Sequence, residues 1–165
     1  MTLKLEKGQE NKILRAVSAP ISRVSAQHRT LAAEMVKTME KEKGVGLAAP
    51  QVGRNICLIV CKLNATEKNP TYMPMVNPEI LSAGAAQVEG EEGCLSLPGL
   101  WGQVKRAKSI LVRFQTLKGS AQTFELTDFN ARIVQHEVDH LLGVLFTDKA
   151  TSVTKESRKK ASANI

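Results

Sequence analysis

Long hydrophobic runs are missing from this chain of 165 residues, since no stretch of about eighteen apolar residues, enough to cross a membrane as a helix, occurs in it. The first residues, Met1 to Lys7, also lack the apolar core of a secretion signal, and Glu6 and Glu10 are unlike an acid-poor transit peptide. These absences exclude a helical membrane protein and a membrane partner. They favour a cytoplasmic location, with an organelle left open.

Cysteine is scarce, with three residues in the whole chain. An odd number of cysteines in a reducing compartment argues against a disulfide framework. Cys57 and Cys61 lie in an apolar run, residues 56–61, that predicts a buried strand, where they would be about 13 Å apart and could not share one metal ion. We interpret both as core thiols, which leaves Cys94, on a loop between glycine and proline turns, as a candidate ligand.

Recognisable nucleic-acid motifs are also missing, although the net charge is +7. The glycine-rich run at residues 44–53 lacks the Gly-Lys-Ser/Thr ending of a phosphate loop. Basic residues outnumber acidic ones after Phe146, and this tail predicts either an RNA contact or an ordinary solvated end of the chain.

What is present is the composition of one globular domain, with 42% hydrophobic and 24% charged residues and neither a repeat nor a linker. We expect a single catalytic domain over residues 1–165, with residues from about 147 forming a basic, partly helical tail. A helix is predicted from a cap at Ser25 to about Lys43, with Gly44 at its end. Strands are predicted at 75–81, at the edge of a sheet because of Pro78, and at 103–106, 109–114 and 121–126.

The run Gln135-His136-Glu137-Val138-Asp139-His140 is the strongest chemical signal in the chain. In a helix capped by Thr127 or Asp128 and ended by Gly143, the two histidines lie four residues apart and point to one side. The pattern H-E-x-x-H supplies two metal ligands and a carboxylate that acts as general base. Apolar flanks predict a buried helix, where unpaired imidazoles and a carboxylate would cost on the order of several kcal/mol. A metal ion supplies the missing partner, and a chance match is the alternative.

Cys94 is the plausible third ligand, which leaves one position of the metal open, as in catalytic rather than structural sites. His28 could close the site but lies in a polar part of its helix, so we interpret it as a surface residue. Metal-assisted hydrolysis of an amide or ester follows, with Glu137 moving the proton. Backbone N–H groups beside Cys94 and the Gln51 side chain are candidates to stabilise an oxyanion.

Three segments together resemble the motifs of the peptide deformylase family. Residues 44–51 resemble its G-x-G-x-A-A-x-Q motif, residues 92–96 its E-G-C-L-S motif and residues 135–140 its Q-H-E-x-D-H motif. Their order and spacing also match, and the similarity extends from about Ile13 to Asp148. The resemblance implies an α+β fold with antiparallel β-sheets around a central helix that carries the metal motif, and an N-terminal helix.

The resemblance further implies removal of the N-formyl group from the formyl-methionine of nascent polypeptides, with release of formate. Cys94, His136 and His140 would hold Fe²⁺, which zinc, nickel or cobalt could replace. Glu137 would be the base and then the acid. The oxyanion hole would comprise the Leu95 N–H and the Gln51 side chain, the Gly46 backbone would hold the peptide, and the methionine pocket would involve Val45, Leu95, Phe129 and Ile133.

The sequence departs from the family pattern at Asp128, where a small residue is common, at Asn130, and at Trp101, where some members have an arginine. These departures put the preference for substrate side chains in question. The basic tail resembles a ribosome-contacting extension only in its charge, so ribosome binding is a hypothesis. A metallopeptidase and an inactive binding module of the same fold are the rival functions. The loop cysteine argues against the first, and the intact set of site residues argues against the second.

Overall fold

The computed structural model describes residues 1–155, and the last ten residues of the predicted tail lie outside them. In this part of the chain two helices come first, seven strands follow, and two further helices precede a last strand. The elements are α1 (Lys12–Arg15), α2 (Ala26–Lys41), β1 (Gly46–Ala48), a 3-10 turn (Ala49–Val52), β2 (Leu58–Leu63), β3 (Thr71–Ala83), β4 (Gln87–Gly93), β5 (Leu100–Ala107), β6 (Ser109–Gln115), β7 (Ala121–Thr127), α3 (Asp128–Leu141), α4 (Phe146–Lys149) and β8 (Ser152–Lys155).

Two antiparallel sheets surround helix α3. The larger has the order β1-β2-β3-β6-β7, and the smaller has the order β4-β5-β8. Helix α3 contacts strands of both sheets, and its apolar residues Ala131, Ile133 and Val134 are buried in the largest core cluster. A helix that is buried on most sides in this way has no solvent-facing stripe. The predicted α+β class, with sheets around the central helix and a helix nearer the N-terminus, is confirmed.

Helix α2 begins after Ser25, as predicted, and the Ser25 N–H donates to His28 Nδ1 at 3.0 Å. His28 is half-buried and serves the helix end rather than the metal cluster described below. The helix ends at Lys41, and the predicted cap at Gly44 is off by one residue. Lys43, with φ 59°, is the residue that adopts the left-handed conformation after the helix. Gly44 has a different role, since a Cβ at this position would lie 2.8 Å from Leu95 Cδ1.

The predicted edge position of residues 75–81 is wrong, because β3 is the middle strand of the larger sheet. Proline cannot donate to a sheet ladder, which is why it was expected at an edge. Here the pairing of β3 with β6 shifts register between Val76 and Glu79, and Asn77 has φ 48°. The irregularity places Pro78 where no ladder hydrogen bond is needed, so a central strand tolerates it.

Cys57 and Cys61 belong to the protein interior, as predicted. Cys61 is fully buried in β2, and Cys57, just before that strand, is half-buried with its thiol 3.4 Å from the Ser18 carbonyl oxygen. Burial raises the pKa of both thiols. Both therefore stay protonated at neutral pH and act as small apolar side chains.

The end of α3 is fixed by Gly143, as predicted. Gly143 has φ 73°, its N–H donates to the His140 carbonyl, and the Val144 N–H donates to the Asp139 carbonyl at 2.9 Å. This pair of bonds is the Schellman arrangement, which satisfies the last carbonyls of a helix. A Cβ at Gly143 would also overlap the Arg15 carbonyl oxygen, so only glycine fits.

The described part of the predicted tail packs against the domain and extends its smaller sheet. Phe146 of α4 is buried in a core cluster. Strand β8 pairs with β5, with Lys155 opposite Leu100 at one end and Ser152 opposite Gln103 at the other. Within residues 1–155, no helix is both long and apolar enough to span a bilayer.

The first residue of α3, Asp128, adopts a strained backbone conformation that a glycine at this position would relieve. Asp128 has φ 53°, and its N–H donates to the Lys108 carbonyl at 2.7 Å. A Cβ in the left-handed region is unfavourable, and aspartate tolerates it better than alanine does. We expect Asp128→Ala to be less stable than Asp128→Gly by about 1 kcal/mol in urea unfolding. Equal stability of the two variants would contradict this role of the backbone.

Candidate metal centre

Three predicted ligands meet in the interior. Cys94 directly follows β4, and His136 and His140 are one turn apart on α3. One ligand atom from each lies within 4.8 Å of the others, and the Cys94 Sγ is 3.3 Å from His140 Nε2. All three side chains are buried, so the predicted set of ligands is brought together.

The donor atoms of this cluster fit a divalent transition metal. Among the buried atoms without a hydrogen-bond partner in residues 1–155, four belong to these histidines and to Glu137, namely His136 Nε2, His140 Nδ1 and both carboxylate oxygens of Glu137. Buried polar groups of this kind are rare in native proteins, and a cation held with the Cys94 sulfur would supply the missing partner of His136 Nε2. His140 presents its other ring nitrogen, Nε2, to that sulfur. A sulfur with two imidazole nitrogens suits iron, zinc, nickel or cobalt.

Cys94 is placed to become a thiolate only with help from a cation. Burial raises the pKa of its thiol to about 12, and hydrogen bonds from the Ser96 and Leu97 N–H groups oppose that rise. Metal binding requires the thiolate, so it would release this proton to solvent.

Glu92 holds the first histidine in place. Its carboxylate is 0% exposed and accepts from His136 Nδ1 at 2.9 Å. Burial favours the neutral acid, but hydrogen bonds from Arg106 and His136 hold the pKa of Glu92 well below its ordinary value. An ionised acceptor keeps the proton on Nδ1, which leaves the Nε2 lone pair directed to the cluster.

Two arginines neutralise Glu92 in the interior. Arg106 binds both carboxylate oxygens, each at 2.9 Å, and Arg132 Nη1 donates to Oε1 at 2.8 Å. Arg106 also pairs with Asp139 at 2.5 Å, and Lys149 pairs with the other oxygen of Asp139 at 2.8 Å. The ionic network therefore runs from His136 through Glu92, Arg106 and Asp139 to Lys149 at the surface.

This network was not foreseen from the sequence. Glu92 and Asp139 stood inside the quoted motifs, and a charged residue between apolar neighbours on a buried helix was a usable signal for Asp139 and Arg132. Arg106 gave no such signal, because it lies in a strand among other basic residues.

The Gln51 side chain points to the cluster. Its Oε1 accepts from the Ala48 N–H at 2.8 Å, and its Nε2 lies 3.4 Å from Cys94 Sγ and 3.2 Å from Ser96 Oγ. The Ala48 bond fixes the orientation of the amide, so its donor end faces the ligands. Leu95, the other predicted oxyanion residue, adjoins Cys94 and is buried.

The N-terminal segment ties the two loops of the site to each other. The Glu6 N–H donates to the Gln51 carbonyl at 2.8 Å, and the Gly8 N–H donates to the Ser96 carbonyl at 3.0 Å. This contact was also not predicted, because the polar sequence of the N-terminal segment does not indicate which loops it will contact.

Gly46 lies against the carboxylate of Glu137. A Cβ at this position would overlap Glu137 Oε1, so the backbone of β1 can approach the carboxylate only as glycine. Burial raises the pKa of Glu137 well above its ordinary value, and the charge of Glu92 adds to that rise. A raised pKa makes the ionised carboxylate a stronger proton acceptor, which suits general acid–base catalysis.

The predicted substrate residues Val45, Phe129 and Ile133 do not all occupy the same kind of position. Val45 and Phe129 line a surface cavity of about 340 Å³ next to Gly46. Ile133 is fully buried and packs in the core cluster that also contains Val45, and it is not among the residues that line this cavity.

A buried Cys-His-His cluster on the H-E-x-x-H face of a central helix, with a carboxylate and an amide donor beside it, defines a metal-dependent hydrolase. The family model for polypeptide deformylase matches residues 5–156. The chain belongs to the peptide deformylase family, whose members remove the N-formyl group from newly made polypeptides, and the predicted family and activity are confirmed.

Individual relatives agree with this assignment. A peptide deformylase from Desulforudis audaxviator (strain MP104C) is 42% identical over 143 residues, which are 87% of this chain and 90% of the relative. A solved peptide deformylase from Thermotoga maritima is 33% identical with a TM-score of 0.85, covering 92% of this chain and 99% of that one. A class I type b enzyme from Acinetobacter baumannii, solved with Met-Ala-Ser bound, is 39% identical with a TM-score of 0.83, covering 90% and 98%.

Loss of Arg106 should destabilise the fold far more than loss of a surface arginine. We expect Arg106→Met to cost about 3–5 kcal/mol, because it leaves Glu92 and Asp139 buried with fewer partners. The matched control is Arg113→Met, since Arg113 pairs with Glu79 at 2.7 Å but the side chains are 55% and 59% exposed. That change should cost less than about 1 kcal/mol. Equal shifts in denaturant unfolding would contradict the importance of the network.

Proposed function

We propose that Cys94, His136 and His140 hold one divalent cation, natively Fe²⁺, for deformylation. The observation that carries this assignment is the convergence of one sulfur and two imidazoles within 4.8 Å beside an unpaired carboxylate. Zinc, nickel or cobalt could replace iron, because thiolate and imidazole are ligands for all of them. When bound, such an ion acts as a Lewis acid that polarises a carbonyl and makes water more acidic.

Glu137 is the group that moves the proton in this proposal. It takes a proton from the water whose oxygen attacks the formyl carbon, and it delivers a proton to the amine nitrogen as the C–N bond breaks. Formate and a free α-amino group are the products. The buried position of Glu137 supports this role, because its raised pKa allows the carboxyl group to hold the transferred proton.

Gln51 and Leu95 stabilise the negative charge on the attacked oxygen. The Gln51 amide is oriented by Ala48 with its Nε2 toward the ligands, and the Leu95 N–H directly follows Cys94 in the chain. Donors that are fixed before the reaction lower the barrier without reorganisation.

The peptide lies along β1 in this proposal. The Gly46 backbone pairs with it, and Val45, Phe129 and Ile133 surround the methionine side chain. β1 is an end strand of the larger sheet and, among the described residues, pairs with β2 alone, so its second edge is available for strand addition. The relative with Met-Ala-Ser bound makes formyl-Met-Ala-Ser a suitable substrate.

Replacement of Glu137 should separate metal binding from turnover. We expect Glu137→Gln to lower kcat for formate release from formyl-Met-Ala-Ser by about 10²–10⁴-fold, because the amide cannot accept the proton. Both proteins, purified without oxygen, should contain one equivalent of iron. Glu125→Gln on the exposed face of β7 is the matched control and should keep full activity.

A fully active Glu137→Gln variant would remove the assigned base. Cleavage of an internal bond in an N-acetylated peptide, with no formate released from the formylated one, would favour a metallopeptidase instead.

We also propose that the basic end of the chain contacts the ribosome. Residues 156–165 contain three basic residues and one glutamate, a charge excess that suits RNA. A variant without residues 156–165 keeps β8 and should bind ribosomes more weakly in sedimentation, with full activity on small peptides. Binding that is unchanged by the deletion would discard the idea.

A further inference from the structure

The cavity beside β1 carries an excess of positive charge. It measures about 340 Å³, and its lining residues are Glu40, Lys43, Gly44, Val45, Lys62, Ala65, Thr66 and Phe129. Two lysines thus face one glutamate. Such a charge excess attracts a ligand of the opposite sign.

The cavity lies at the N-terminal end of β1. Leu47 and Ala48 are fully buried, so the direction beyond Gly46 toward the C-terminal end of β1 is closed by packed side chains. In the other direction Val45 and Gly44 line the cavity. A peptide whose first residue lies at Gly46 therefore extends antiparallel to β1 and enters the cavity.

The two lysines of the cavity differ in what they already contact. Within residues 1–155 neither Lys43 nor Lys62 forms an ion pair. Lys43 is exposed, while Lys62 is half-buried, with its N–H bonded to the Val45 carbonyl at 2.7 Å and its Nζ 5.7 Å from the centre of the Tyr72 ring.

The negative group of the cavity is already engaged. The Glu40 carboxylate accepts a hydrogen bond from the Tyr72 hydroxyl, which also raises the pKa of Tyr72. Glu40 and Lys62 thus both contact Tyr72 of β3, and the two lysines still outnumber the one carboxylate of the cavity.

We propose that Lys43 and Lys62 make this enzyme favour formylated peptides with an acidic side chain at the third residue. The inference rests on the proposed binding of substrate along β1. In antiparallel pairing at about 3.3 Å per residue, the first residue lies opposite Gly46 and the third opposite Gly44, next to Lys43. Partly exposed ion pairs change affinity by about two- to fivefold each, so the preference is moderate and weakens with salt.

Three peptides test the preference on the iron-loaded enzyme: the C-terminal amides formyl-Met-Ala-Asp, formyl-Met-Ala-Asn and formyl-Met-Ala-Lys. The amide removes the terminal charge, and asparagine matches aspartate in shape. We expect kcat/KM to be about fivefold higher for Asp than for Asn, lower again for Lys, and nearly equal for all three in 0.5 M salt (a Debye length of roughly 4 Å).

Charge-reversed variants connect the preference to these residues. Lys43→Glu and Lys62→Glu should each lower the Asp-to-Lys ratio of kcat/KM by about tenfold. The concentration of folded enzyme cancels in this ratio, so even a partly unfolded variant gives a valid measure of the preference. Lys118→Glu changes the net charge equally but lies in the exposed turn between β6 and β7, and it should keep the wild-type ratio.

Two outcomes would overturn the inference in distinguishable ways. Equal kcat/KM for the three peptides at low salt, or an equal effect of Lys118→Glu, would leave deformylation intact and remove the role of the lysines. No formate from any of the three peptides would refute the proposed function itself, and the inference with it.

Discussion

The buried, ionised carboxylate of Glu92 is the constraint around which the interior is arranged. A charge without water needs several partners, and here they come from β5 through Arg106 and from α3 through Arg132 and His136. The smaller sheet and the central helix are therefore joined at this point. Because the ionised carboxylate accepts from Nδ1, the same contact selects the imidazole tautomer that a metal requires.

Close approach of backbone to side chain is the second condition of the site. Gly44 leaves room for Leu95, and Gly46 leaves room for Glu137. Each glycine brings the edge strand against a group from a distant part of the chain, either the Cys94 loop or α3. A methyl group at either position would separate parts that must lie side by side for hydrolysis.

Local irregularities are tolerated where tertiary contacts fix the backbone. Pro78 occupies a register shift in a central strand, and Asp128 keeps a left-handed conformation at the start of α3. In each case an unfavourable local preference is outweighed by the pairing and packing around it. Both features lie outside the ligand set, so the chemistry does not depend on them.

Much of this protein was determined by short patterns in the sequence. The spacing of His136 and His140 fixes a shared helix face, and Gly143 ends the helix, because both depend on local backbone geometry. The three motifs in order also predicted the family, the α+β class and the convergence of Cys94 with the two histidines. Only the tertiary structure decided the position of β3, the partners of Glu92 and Asp139, the tie from the N-terminal segment, and the lysines beside the cavity. These features depend on contacts between residues far apart in the chain. A local sequence pattern does not specify which distant strand a strand will pair with, or which distant charged residue a charged side chain will contact.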